Sequence, residues 1–358
     1  MESAQAAKKR FKTVDRQDYY HNAERYQKNF VEDSSAGIFS DKFFWINSNV
    51  PVDLSAVKNG YQGVFNFQKI NNIQRINKYF EKVNRHLDID QYLVVRVETS
   101  ESRRVRILNK FPKIVSRPYY ILDFILKRIF PKWKPTKKIY FWLTKGRNRV
   151  LSLTETLGRL VSCGFKIQEH RRIGYDTYII AKKVDDPVYD TAPTYGPLVR
   201  LNRIGKEGEK ITVYKMRTMH PYSEYLQEYI YEQNSLQSGG KINNDSRVTE
   251  WGKWFRKLWI DELPMIFNLL KGQMKVVGVR PLSSHYFGLY PEDIQILRTK
   301  VKPGLVPPFY ADMPETIEEI VESERTYIES YLEKPIRTDI KYFFKAMYNI
   351  FIKRARSA

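Results

Sequence analysis

An aspartate and a glutamate stand side by side at Asp261-Glu262, directly ahead of the apolar run LPMIFNLL. That run reads as a helix. An acid at a helix start caps free N–H groups and meets the positive end of the helix dipole. On that reading Asp261 is the N-cap and Glu262 a first-turn acid. A helix start is also where phosphate binds, and an aspartate there stays ionised and can face a phosphorus atom. Cations that could neutralise a phosphoryl group recur elsewhere in the chain. Lys215 and Arg217 in YKMRTM are two residues apart, which puts them on one face of a strand. Arg256 lies in GKWFRK. Arg280 lies in GVRP, where Gly278 and Pro281 predict a tight turn. Arginine forks take phosphate oxygens two at a time. Asp245 and Arg247 in NDSRVT are spaced either to pair and hold a loop or to serve the site. Pro264, Gly278 and Pro281 are expected to shape the backbone around it.

The elements that must position these residues follow from pattern. PLVRLNRI and KITVYKMRT predict two strands around Gly205-Lys-Glu-Gly208, with a long polar helix, SEYLQEYIYEQNSL, after them. Upstream, Ile76–Leu87 predicts an amphipathic helix with Ile76, Tyr79, Phe80 and Val83 on one face. Gln91–Thr99 predicts a buried strand, and Ser152–Gly164 a helix with capping-box spacing between Ser152 and Glu155. GFKIQEHRRI and TYIIAKKV flank Gly174-Tyr175-Asp176 as a hairpin. Helix–strand, then helix and terminal hairpin, resembles the C-terminal half of a class I methyltransferase fold. No glycine-rich loop follows a strand before residue 190, and GYQGVF has the wrong spacing for one, so any cofactor site there is absent or degenerate. The fold class expected is α/β: a methyltransferase-like domain over 1–185, an α+β domain over 196–335, and a basic amphipathic helix over 336–358. An Asp/Pro/Thr-rich boundary, Val184–Pro197, separates the first two.

Composition bounds the partners. The chain has 358 residues, 42% hydrophobic and 14% aromatic, enough for packed cores. One cysteine, Cys163, excludes an intramolecular disulfide and a cysteine-cluster zinc site. No segment is apolar enough to span a bilayer, and MESAQAAKKRFKTVDRQ lacks the apolar core of a signal peptide. The net charge of +21 implies an anionic partner. It is concentrated: between Ser102 and Val150, 15 Lys/Arg stand against one acid, Asp123. In Arg117–Arg149 aromatics such as Tyr119, Tyr120, Trp133 and Trp142 interleave with those cations. Three uses compete: a bilayer interface, single-stranded nucleic acid, or a solvated face with its aromatics turned inward. Nucleic acid is the least favoured. The tail sets Ile340, Phe343, Phe344, Met347, Tyr348 and Phe351 against Lys341, Lys345, Lys353, Arg354 and Arg356. That pattern suits a membrane surface or docking on the protein's own core.

From about Gly196 to Tyr348 the chain resembles the bacterial sugar transferases, the polyprenyl-phosphate hexose-1-phosphate transferases. The matching motifs, in order, are GPLVRLNRIG, YKMRTM, NDSRVTEWGKWFRK, IDELPMIFNLLKGQMKVVGVRP and VKPGLV. The resemblance implies that Asp261 is the nucleophile, attacking a nucleotide-diphosphate sugar to form an aspartyl-phosphosugar and release a nucleoside monophosphate. A polyprenyl (undecaprenyl) phosphate then takes the phosphosugar, initiating a surface glycan. Glu262 would hold Mg²⁺, and Lys215, Arg217, Arg256 and Arg280 would bind phosphate. The expected place is the cytoplasmic face of the inner membrane, held peripherally, and an oligomer is compatible with it. One departure stands out. Family members carry an apolar membrane helix just before the GP motif, and here that position holds the acidic linker Val184–Tyr195. Membrane attachment is therefore expected from the insert and the tail. The alternatives are a same-fold transferase with a soluble acceptor, or a nucleic-acid or scaffold protein with a vestigial site.

Overall fold

The computed structural model describes residue 30 and residues 42–48, 60–189, 195–233 and 245–353. Arg354 and Arg356, part of the boundary segment and the end of the expected polar helix lie outside them. The chain forms two units. One runs to Tyr195 and also takes in His220–Tyr229; the other comprises Gly196–Met219 and the chain from Ile230 onward. The 220–229 segment thus departs from the linear division read from sequence, and the tail helix belongs to the second unit.

The first unit is built on strands β1 (Phe43–Ile46), β2 (Gly63–Lys69), β3 (Tyr92–Val97), β4 (Phe165–Ile173) and β5 (Asp176–Lys183), in the spatial order β1-β2-β3-β5-β4. β1, β2 and β3 are parallel; β5 runs antiparallel between β3 and β4. The central strands are continuous apolar runs because both their faces are covered. Helix α1 (Ile76–His86) buries the four residues expected, Ile76, Tyr79, Phe80 and Val83. β3 leads into α2 (Ser100–Lys110), capped by Thr99. Then come α3 (Lys113–Phe124), α4 (Lys134–Thr144) and α5 (Leu153–Ser162). Ser152 caps α5 by accepting from Glu155 N–H, but the Glu155 side chain does not close the box. It is buried and turned to Arg128, Lys132 and Arg159.

The basic insert folds as α3, a π-turn over Ile125–Ile129, and α4. Its one acid is structural. Asp123 is buried in a two-bond contact with Arg103, 2.7 Å at each oxygen. The aromatics are not all turned inward. Tyr140 is buried, whereas Trp142 is 78% exposed and Ile114 88%, with Tyr119, Ile121, Leu122, Trp133 and Ile139 exposed beside them.

The second unit opens with a ribbon of β6 (Leu198–Ile204) and β7 (Lys210–Met216). The expected polar helix opens, in the part that belongs to the first unit, as a 3₁₀ turn at Ser223–Leu226 and continues as α6 (Gln227–Gln233), beyond which its pattern lies outside the described residues. There follow α7 (Glu250–Lys257), a 3₁₀ turn over Ile260–Met265, α8 (Ile266–Leu270) and β8 (Lys275–Val277). α9 (Ser284–Gly288), α10 (Glu292–Thr299), β9 (Gly304–Val306), α11 (Phe309–Asp312), α12 (Ile317–Glu333) and α13 (Pro335–Phe351) complete it. Parallel β8 and β9 bring the GVRP and KPGLV motifs together. A Cβ on Gly304 would lie 2.1 Å from Gly278 N, so both positions need glycine for backbone approach. Gly278 therefore serves strand contact rather than the tight turn expected around Arg280.

α13 packs on this core through Tyr342, Ala346 and Ile350, and Asn349 donates to the Tyr310 and Ala311 carbonyls. The face read from sequence is split. Phe343 and Met347 pack partly against the core, while Ile340, Phe344, Tyr348 and Phe351 are exposed. Among the described residues no helix is long and apolar enough to cross a membrane.

Candidate active site

Backbone-to-side-chain bonds set the register between β7 and the carboxylate turn. Asn268, fully buried on α8, donates to Thr212 O at 2.7 Å and accepts from Tyr214 N at 3.2 Å. Met265 packs with Ile211, Val213 and Met274 beneath it. This clamp places Lys215, at the far end of β7, against the turn: its Nζ lies 2.6 Å from Glu262 Oε1. Sequence spacing carried no signal for Asn268, because an asparagine inside an apolar run reads only as a tolerated polar residue.

Asp261 and Glu262 sit inside the 3₁₀ turn, whose N-cap is Trp259 at φ +58° with no side-chain cap bond. Asp261 is therefore not the cap, and no capping duty ties up its carboxylate. Pro264 is buried within the same turn. Burial, then the neighbouring Glu262, pushes the Asp261 carboxyl above its ordinary value, with Lys215 and Arg256 pulling the other way. This is a partly desolvated carboxylate with two cations close enough to act on its charge, the environment that suits a nucleophile toward a polyanion.

The remaining cations divide. Arg256 projects from α7, and its Nε donates to Thr218 Oγ1 at 3.0 Å. α7 itself is pinned to Thr218. Thr249 caps it, and Gly252 approaches so closely that a Cβ would lie 2.0 Å from Thr218 O. Arg217 Nε donates to the Gly196 carbonyl at 3.0 Å. Arg280 is exposed and lies beside Arg203 on β6, whose pKa falls through burial and then that neighbouring charge. Arg203 is a cation that sequence reasoning passed over within GPLVRLNRIG. Pro281 is half-buried in the extended stretch after Arg280. Asp245 and Arg247 pair with each other, Nη2 to Oδ2 at 2.8 Å. Burial works against the Asp245 charge, but the Arg247 hydrogen bonds outweigh it and hold the carboxyl low. Of the two uses read for this pair, the loop-holding one is the contact observed.

The chemistry of the donor set fits a hard divalent cation. Glu262 offers a second oxygen for which no protein partner is found among the described residues, and Asp261 is adjacent. Those residues contain no group of three or more His, Cys, Asp or Glu side chains that could form a protein cage. Magnesium keeps waters and works with one or two carboxylates plus substrate phosphates.

A feature the sequence reading missed flanks the dyad. Trp251, Trp254 and Leu258 on and after α7, and Leu263, Ile266, Phe267 and Leu270 around α8, are all exposed. Leu270 reaches 79% exposure. Lys253, Arg256 and Lys257 are exposed among them. An apolar surface edged by cations is an unfavourable face to leave in water and a suitable one for a lipid interface.

Residues 191–353 match the family model described as bacterial sugar transferase. Among similar proteins, the UDP-glucose:undecaprenyl-phosphate glucose-1-phosphate transferase of Klebsiella pneumoniae is 34% identical over 174 residues, covering 45% of this chain and 34% of that protein. The undecaprenyl-phosphate galactose phosphotransferase of Salmonella typhimurium is 33% identical over 108 residues, 29% of this chain and 22% of its own. The uncharacterized sugar transferase EpsL of Bacillus subtilis is 41% identical over 103 residues, 29% and 45% respectively. The chain spans less than half the length of each of these relatives.

Proposed function

We propose, from the premise that residues 191–353 belong to the bacterial sugar transferase family, that this chain is a glycosylphosphotransferase. It moves hexose-1-phosphate from a nucleotide-diphosphate sugar to a polyprenyl phosphate such as undecaprenyl phosphate. The observation that carries the reading is the dyad itself: a half-buried Asp261 freed from capping, beside a Glu262 held by Lys215, under an exposed apolar surface.

In the first step an Asp261 carboxylate oxygen attacks the phosphorus that bears the sugar. The bond from that phosphorus to the bridging oxygen breaks, and a nucleoside monophosphate leaves with the electron pair. In the second, an oxygen of the lipid phosphate attacks the same phosphorus and expels Asp261, giving a lipid-linked diphosphosugar. Splitting the transfer means that the site never holds two polyanions at once. Lys215 and Arg256 favour the ionised Asp261 and the phosphate oxygens near it; Arg203, Arg217 and Arg280 are the further cations on this unit. Glu262, with Asp261 adjacent, would hold Mg²⁺, which neutralises the diphosphate.

The same reading puts the protein at the cytoplasmic face of the inner membrane, held peripherally. The apolar surface beside the dyad, the exposed apolar residues of α3 and α4, and the outer face of α13 support attachment to a membrane surface. The first unit is proposed to be a non-catalytic, methyltransferase-like module, supported by its hairpin-ended sheet order.

The test is nucleoside monophosphate release from a panel of nucleotide-sugars with Mg²⁺. Glu262→Gln is expected to lower turnover and weaken its Mg²⁺ dependence together, because an amide is a poor ligand for a hard cation. A wild-type Mg²⁺ titration in the variant would place the ligand elsewhere.

A further inference from the structure

Within the first unit a cavity of about 390 Å³ opens between the start of α1, the α4 insert and the start of α5. Six cations line it: Arg75, Lys78, Lys132, Lys137, Arg149 and Arg159. Two acids, Glu81 and Glu155, are the only carboxylates among its lining residues. Glu155 is completely buried and is shared by Arg128, Lys132 and Arg159. One carboxylate therefore faces three basic groups in a desolvated setting, where burial and then Arg128 hold the Lys132 amine well below its usual range.

Arg149 adds a fourth. It is buried, and among the described residues its guanidinium donates to carbonyl oxygens, those of Gly146, Ile73 and Gln74. Burial, then the neighbouring Arg159, lowers its pKa to about 10, against the opposing pull of Glu155. Arg159 is 6% exposed and its Nε is buried with no hydrogen-bond partner, although Asn77 and Glu155 engage its terminal nitrogens. α1 begins at this cavity with Arg75 as N-cap, no side-chain cap bond and no acid in its first turn. At the rim, Arg75 and Lys78 are exposed and have no carboxylate partner among the described residues. Buried charge is costly unless paired, and an anion entering the cavity would offset the remaining excess. The non-ionic wall includes Tyr195, Tyr222, Phe141 and Ile76, which suits a ligand with an organic part.

We propose that this cavity is a binding site for a phosphate ester, separate from the transferase site and outside the family-matched region apart from two wall tyrosines. The phosphate would sit among Arg75, Lys78, Arg149 and Arg159 at the uncapped start of α1, where backbone N–H groups and dipole add to the cations. The phosphate can come from a soluble nucleotide, a monoester, or from a phospholipid headgroup, a diester, since both present anionic phosphate oxygens.

The test is hydrogen exchange by mass spectrometry on the full chain. Inorganic pyrophosphate, uridine monophosphate and phosphatidylglycerol-containing vesicles are compared with chloride at matched ionic strength. With ligand at ten times its Kd, exchange in peptides covering 74–81 and 146–159 is expected to slow roughly tenfold. Arg75→Glu with Lys78→Glu, both at exposed positions that leave the buried network intact, is expected to abolish that slowing. Slowing with pyrophosphate or the nucleotide assigns a soluble ligand; slowing with vesicles alone assigns a headgroup. Absence of slowing with all three probes, or slowing undiminished in the double variant, overturns the proposal. Neither result bears on phosphosugar transfer at Asp261, which is read separately.

Discussion

Asp261 and Glu262 differ by one methylene and one position, yet they meet different surroundings. Glu262 has Lys215 in contact, while burial raises the Asp261 pKa and no cap bond competes for its oxygens. The pair alone reads as an ordinary helix start; its role as a site came from the resemblance of the motifs around it. The partner of each was not legible. Strand alternation put Lys215 and Arg217 on one face, but the strand ends at Met216, and Arg217 turns to the Gly196 carbonyl. Titration offers a test at this scale in the other unit. His220 Nδ1 lies 3.1 Å from Ser152 Oγ, and burial, then Arg128, lowers its pKa from 6.5 to about 4. The unfolded chain binds that proton first as pH falls, so stability is lost through the window from 6.5 down to about 4. His220→Asn keeps an acceptor and removes the titration. Its denaturation midpoint is expected to fall less than the wild type's between pH 7 and pH 4. Parallel curves would show that His220 does not carry that linkage.

At the scale of elements, the site is a strand and a turn held in register by one asparagine. Replacing Asn268 by Ala leaves Tyr214 N–H and Thr212 C=O without their partner, at a cost of ~2 kcal/mol. Asn268→Asp is expected to do no better, because it retains the acceptor but loses both donors and turns a charge toward a carbonyl. Denaturant midpoints of the two variants check this; a wild-type midpoint in either would remove the clamp from the account. Periodicity made α1 readable; β3 was readable as a continuous apolar run, α5 from the Ser152–Glu155 spacing and the β4–β5 hairpin from its Gly174-Tyr175-Asp176 turn. Periodicity misjudged α13, whose apolar residues number too many for one face. Tyr342, Ala346 and Ile350 take the core side, leaving Phe344 and Phe351 in solvent. The paired glycines Gly278 and Gly304 were invisible as a pair, because only the fold brings residues 26 apart within backbone contact.

For the whole molecule the charge excess and the exposed apolar residues make one prediction. Each basic residue near an anionic leaflet contributes about 1 kcal/mol, screened within a Debye length, while inserted aromatics contribute independently of salt. Binding to anionic vesicles should therefore be partly salt-resistant. Ile340, Phe344 and Phe351 are exposed, so changing all three to Ser should remove part of the salt-resistant fraction without disturbing the α13 core side. Trp251→Ser with Trp254→Ser should do the same beside the dyad. Co-sedimentation in low and high salt reads both. Intact protein left in the supernatant at low salt would point to a soluble acceptor or a partner subunit.

The claim on which the rest stands is that Asp261 becomes covalently loaded with phosphosugar, and intact-mass spectrometry tests it most directly. The full chain is incubated with nucleotide-sugar and Mg²⁺ in the absence of lipid acceptor, then denatured in acid and weighed. The account predicts an adduct of one hexose phosphate on the wild-type chain, discharged by added polyprenyl phosphate and absent from a folded Asp261→Asn variant. An equal adduct on Asp261→Asn, or full transfer by that variant, would contradict it.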